Sequence, residues 1–206
     1  MGTRSLIILE DGKSIKGIYC GSDGYPNYLG LVLRLGYHNP ERARKLINIG
    51  AIGSIRYGLK NVELTHRGWD KDDKFAQIIE FPQDAKPSHP DKLNPFLAQM
   101  IIDNSAEYVY WGQVLETKEG GVVAWSCLNT VEKKFENLYN IDPTNCVGEV
   151  YCVYQEDGEW QYGIFSQGES KKVKCVGFTE EDCYEAISGI EYAPERDCEN
   201  KKNNNK

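Results

Sequence analysis

Three short turn signals, each set between two apolar runs, constrain the fold of this chain more than any other feature of its sequence. The turn pairs are Asp11-Gly12, Gly120-Gly121 and Asp157-Gly158. Dipeptides of this kind accept the positive φ angles of tight turns, and they are a strong short-range signal for two antiparallel strands. The sequence therefore predicts three β-hairpins, which pair residues 6–9 with 14–20, 108–115 with 122–128, and 149–155 with 160–165.

Helical periodicity follows the first hairpin. After a loop at 21–26, apolar residues three and four positions apart predict a first helix. Asn39-Pro40-Glu41 then has the composition of a second helix start, with Asn as the N-cap and Pro in the first turn. Gly50 is a natural C-cap, so we expect this second helix to end there.

The remaining elements have weaker signals. The pattern predicts a strand at 75–81, a short helix at 130–139, a strand at 172–178, and a last helix that Thr179 caps and that runs to residue 192. A further helix is expected after Ser88 and Pro90, with Pro95 interrupting or delaying it.

Hairpins interspersed with helices predict an α+β fold, in which a mainly antiparallel sheet has its helices packed on one face. Its N-terminal part is expected to be a β-hairpin followed by two helices. The 206 residues suit a single domain. We expect that domain to span 1–193, with 1–55 as an N-terminal module and the polar residues 194–206 as a disordered tail.

Charge and composition exclude several classes of protein. A formal net charge of −7 disfavours direct nucleic-acid binding, because such binding needs a basic surface that releases phosphate counterions. No apolar run approaches the length of a membrane span, and no signal-peptide pattern opens the chain, so we expect a cytoplasmic protein without membrane contact. The 7 cysteines include no C-x-x-C pair, which indicates reduced, buried thiols and no zinc site. The absence of a G-x-G-x-x-G or P-loop sequence leaves no cofactor predicted.

The first 55 residues contain a set of short segments in a particular order: Gly2, Thr3, Arg4 and Ser5 at the start, then Tyr19, Asp23, Gly24, Tyr25, Pro26 and Gly30, and last Gly50, Ile52 and Ser54. In order and spacing these residues resemble a family of small uncharacterised bacteriophage proteins. Those proteins open M-G-T-R-S and continue with a strand, the segment I-Y-x-x-x-D-G-Y-P, a helix, and a segment L-x-x-L-G-x-I-S-S-L. This chain departs at Gly21-Ser22, where the family often has His-Trp or Gln-Phe. The resemblance implies a phage origin and no particular reaction.

Arg4 and the loop at 23–26 form the sharpest candidate site. If the hairpin brings Arg4 beside this loop, an ion pair with Asp23 and the free amides near Asn27 could bind an anion. The candidate ligand-binding residues for a phosphate or nucleotide are Arg4, Ser5, Tyr19, Asp23, Gly24 and Tyr25. The alternative interpretation is structural, with Asp23 accepting loop amides, Tyr25 packed on the sheet, and Arg4 in a structural ion pair.

Two further features are open to more than one interpretation. Trp69, Asp70, Asp72 and Asp73 are either a divalent-cation site or a solvated acidic loop. Aromatic residues on the C-terminal strands are either core packing or a platform for a partner. Cys20-Gly21-Ser22 echoes part of a cysteine-protease motif without the downstream partners, so no catalytic residue is predicted.

Three functional hypotheses follow. The first is a phage accessory protein, a non-enzymatic binding module that engages a host protein in the host cytoplasm and counteracts antiviral defence. The second is a protein that sequesters a small nucleotide ligand, such as a second messenger, with Arg4 and the loop at 23–26. The third is an enzyme that acts on a phosphorylated or nucleotide substrate.

Overall fold

A computed structural model describes residues 2–12, 14–57, 78–118, 120–174 and 179–191. The predicted α+β fold is confirmed, including the N-terminal hairpin. Strands β1 (Ser5–Asp11) and β2 (Ser14–Cys20) pair antiparallel, with Ser5 opposite Cys20 and Asp11 opposite Ser14. Gly12 lies at the turn with a φ of 61°, a conformation that glycine adopts without a steric penalty.

The hairpin lies inside a six-stranded sheet of order β3-β2-β1-β4-β5-β6. The other strands are β3 (Ile79–Glu80), β4 (Tyr108–Thr117), β5 (Gly120–Asn129) and β6 (Lys134–Glu136). Neighbouring strands run antiparallel except β1 and β4, which are parallel. Parallel neighbours need a long crossover connection, and nearly ninety residues separate the end of β2 from the start of β4.

The two predicted N-terminal helices are present. A π-helical turn at Pro26–Gly30 leads into α1 (Leu31–Gly36), and α2 spans Pro40–Ile49. The Asn39 side chain accepts hydrogen bonds from the backbone N–H groups of Glu41 and Arg42, which caps α2 as predicted. Gly50 ends the helix with a φ of 87°.

Both faces of the large sheet are buried, although the sequence predicted helices on one face. Leu6 and Ile8 of β1 lie in one apolar cluster, while Ile7 and Leu9 lie in another, and all four are at most 4% exposed. The first cluster includes Leu97 of α3 (Pro95–Asn104), and the second includes α1 and α2. The uninterrupted apolar run at 6–9 is typical of a strand buried on both faces, because a strand with one solvent-exposed face would alternate apolar and polar residues.

A second, three-stranded antiparallel sheet follows, formed by β7 (Val150–Glu156), β8 (Glu159–Ser166) and β9 (Glu169–Lys174). Helix α4 (Glu180–Glu191) packs on it. Tyr57 contacts Tyr151 of β7 edge-to-face, with ring centroids 5.3 Å apart. The small sheet therefore shares the core of α1 and α2 instead of building a separate one.

The predicted helix at 130–139 is wrong. A turn, strand β6 and a 3₁₀ turn at Leu138–Asn140 occupy this stretch. The Asn129 side chain accepts hydrogen bonds from the N–H groups of Val131 and Glu132, and Lys133 has a left-handed φ of 51°. This side-chain-to-backbone turn competes with a helix start and sends the chain back along β5.

Several predictions lie partly or wholly outside the described residues: the strand residues 75–77 and 175–178, the acidic loop with Trp69, Asp70, Asp72 and Asp73, and the tail at 194–206. Within the described ranges, no helix is long and apolar enough to cross a membrane.

Candidate functional site

The strand alternation separates the residues predicted to bind a ligand. Tyr19 lies opposite Leu6 and so shares its face of the sheet. Arg4, two residues before Leu6, has an exposed side chain. Burial raises the pKa of Tyr19, and the positive charge of Arg4 partly offsets that rise, which indicates that the two side chains are neighbours.

Ser5 and Gly24 lie on the opposite face, where both are buried. Ser5 has no exposed surface and lies opposite Cys20 on β2. The Gly24 N–H donates to the carbonyl of Thr3 at 3.0 Å, and the Gly24 carbonyl accepts from the buried hydroxyl of Tyr110 at 2.8 Å. Both polar groups of this glycine are therefore used in joining the loop to the sheet.

Asp23 and Tyr25 shape the loop between these two faces. Asp23 has a left-handed φ of 59°. The carbonyl of Tyr25 accepts hydrogen bonds from the N–H groups of Tyr28 and Gly30, at 3.1 and 3.4 Å, which starts the π-helical turn. Among the described residues, Arg4 makes no ion pair with Asp23, and its backbone instead bonds Glu107. Arg4 and Tyr19 therefore lie on one face of the sheet and Ser5 on the other, and the role of the six residues in ligand binding stays a prediction.

The buried cysteines are poor nucleophiles. Burial raises the pKa of the Cys20 thiol to about 12, and hydrogen bonding to Ser22 and Ser5 only partly opposes this effect. Burial likewise raises the pKa of Cys127 to about 12. Because only the thiolate reacts, both groups are inert at neutral pH.

We therefore expect Cys20 and Cys127 to resist alkylation in the native protein. At pH 8 a thiol of pKa about 12 is roughly one part in ten thousand thiolate. Iodoacetamide treatment followed by peptide mass spectrometry should leave both unmodified in buffer and modify both in urea. Rapid native labelling of either residue would contradict their burial.

The described surface cavities cluster elsewhere, at the end of β1. A central cavity of about 190 Å³ is lined by Leu9, Asp11, Ser14, Lys16, Arg44, Ile47 and Asn48. It shares Ser14 and Lys16 with a second cavity of about 390 Å³ beside β3, and it shares Arg44 with a third of about 330 Å³ beside the β4–β5 turn. We call these three adjoining cavities the β1-end groove; its charged residues are Asp11, Lys16, Glu41, Arg44, Glu80 and Glu116.

A bidentate ion pair organises the centre of the groove. Asp11, at the end of β1, accepts from Nε and Nη2 of Arg44 on α2, at 2.6 and 3.0 Å. The hydrogen bond from Arg44 lowers the pKa of Asp11, so this carboxylate is ionised at neutral pH. Leu9 and Ile47 form a buried apolar floor below the pair.

A second polar network stiffens the same end of the sheet on its other face. Glu10 accepts from the indole of Trp111 at 2.9 Å and from the amide of Gln113 at 3.3 Å. Lys86 lies 3.5 Å from Glu10 and donates to Gln113 at 2.8 Å. These contacts tie the ends of the parallel strands β1 and β4 together, which holds the groove on a rigid base.

Most charged side chains of the groove are solvent-exposed. Within the described residues, no group of three or more His, Cys, Asp or Glu side chains could hold a metal ion. Its charged groups are largely exposed, with Glu80 82% and Glu41 73% exposed at the side chain. Sequence reasoning missed the groove because its residues come from six elements, β1 to β5 and α2, and Asp11 was interpreted only as part of a turn.

Comparisons with protein-family profiles, with curated proteins and with solved structures found no match to this chain. The resemblance of residues 1–55 to phage proteins therefore stays a prediction.

Proposed function

We propose that this chain is a phage accessory protein, a non-enzymatic binding module that engages a host protein and counteracts antiviral defence. The phage origin rests on the resemblance of residues 1–55. The binding role rests on the β1-end groove, which we propose as the docking surface. A host partner would be met in the host cytoplasm.

The presence of three adjoining cavities is the observation that supports a protein partner. Three adjoining cavities follow one another across the ends of β1, β2, β4 and α2, and each is bordered by exposed polar side chains. Sites for small molecules are concave, mostly apolar, and enclose about 70–90% of the ligand surface. An extended, mixed-charge depression with an apolar floor instead matches the surface of a protein segment, with a polar rim around apolar contacts.

Affinity capture with matched variants tests this proposal. The tagged chain is incubated with lysates of several bacterial hosts, and retained proteins are identified by mass spectrometry. We expect the double variant Lys16→Glu/Glu116→Lys, which reverses two groove charges at constant net charge, to lose a host protein that the wild type retains. The control Lys171→Glu changes an exposed lysine of β9 and should keep it. If no host protein is retained, or if both variants keep it equally, the groove is not the docking surface.

Sequestration of a nucleotide is the second candidate, because Arg4 is exposed next to Tyr19 and could contact a phosphate and a base. It predicts thermal stabilisation by a nucleotide, with loss of that stabilisation in Arg4→Ala. An enzyme of phosphorylated substrates would in addition need polar groups that converge near Arg4, Asp23 and Tyr25.

A further inference from the structure

We draw no further inference here: the strongest candidate, the surface patch on the α3 side of the large sheet where Leu115 of β4 and Phe135 of β6 are exposed beside Ala124 and Ser126 of β5, carries none, because nothing in the described part of the chain shows what covers it.

Discussion

Replacing Arg42 by alanine should lower the free energy of unfolding by about 3 kcal/mol. Arg42 lies on α2 and is 4% exposed. Its Nε donates to the carbonyl of Gly36 at 3.1 Å, and its Nη2 donates to the carbonyl of Tyr57 at 2.7 Å. Alanine leaves both buried acceptors without their donor, and each lost partner costs about 1–3 kcal/mol.

Arg42 also contacts two residues of the C-terminal helix α4. Its guanidinium carbon lies 3.3 Å from the ring centroid of Tyr184, and its Nη1 lies 3.4 Å from the carboxylate of Glu181, both on α4. Glu181 is 60% exposed, so the stacking on the buried Tyr184 is the larger contribution. The alanine variant should therefore increase hydrogen exchange along α4 before the large sheet opens.

Arg44 provides a matched control on the same helix. Its side chain is 47% exposed, and its ion pair with Asp11 is solvated, so Arg44→Ala should cost no more than about 1 kcal/mol. Urea denaturation followed by tryptophan fluorescence measures both variants. Arg42→Lys keeps the charge but lacks the planar guanidinium group, so the stability of this variant should lie between those of the wild type and Arg42→Ala. Equal losses for Arg42→Ala and Arg44→Ala would show that the buried arginine does not join α4 to the fold.

The elements that the sequence predicted correctly are those with local causes. The β1–β2 hairpin follows from Asp11-Gly12, and the limits of α2 follow from Asn39 and Gly50. Each of these signals acts within a few residues, so one chain segment contains all the information needed. The helix predicted at 130–139 failed for a local reason as well, because Asn129 bonds the following N–H groups in a turn.

The pairing of strands that are distant in the chain could not be predicted from the sequence patterns. Nothing near β4 indicates that it lies parallel to β1, since that register depends on packing between segments about a hundred residues apart. The β1-end groove has the same origin: Asp11 and Arg44 meet only after α2 has packed on the sheet. A contact between elements has no period or spacing in a single sequence, and so no motif predicts it.

The separation of Arg4 from Ser5 at the predicted ligand site could have been predicted from the sequence. Arg4 and Ser5 are consecutive, and successive side chains along a strand point to opposite faces. A site that uses both side chains is therefore disfavoured once residues 5–11 are assigned to a strand. The exposed Arg4 and the buried Ser5 follow this alternation.

Replacing Gly24 by alanine should destabilise the protein by roughly 2 kcal/mol, within the usual range for an overpacked site. A Cβ atom at this position would lie 2.8 Å from the carbonyl oxygen of Thr3 and 3.1 Å from Oγ and Cβ of Ser5. The Thr3 carbonyl is backbone, and it already accepts from the Gly24 N–H, so it cannot move away without breaking that bond. The loop would have to shift and weaken its hydrogen bond from Tyr110.

Gly21→Ala is the control, because it lies in the same loop with its nearest neighbouring atom at 3.5 Å, an ordinary contact. The free energy of unfolding of that variant should be unchanged or slightly higher, because alanine reduces the conformational entropy of the unfolded chain. Both are compared by urea denaturation, and a Gly24→Ala protein as stable as Gly21→Ala would contradict the packing of the loop on Thr3. A large difference between them supports a structural requirement for the glycine of Asp-Gly-Tyr-Pro: it permits close backbone contact between the loop and β1, whatever the loop binds.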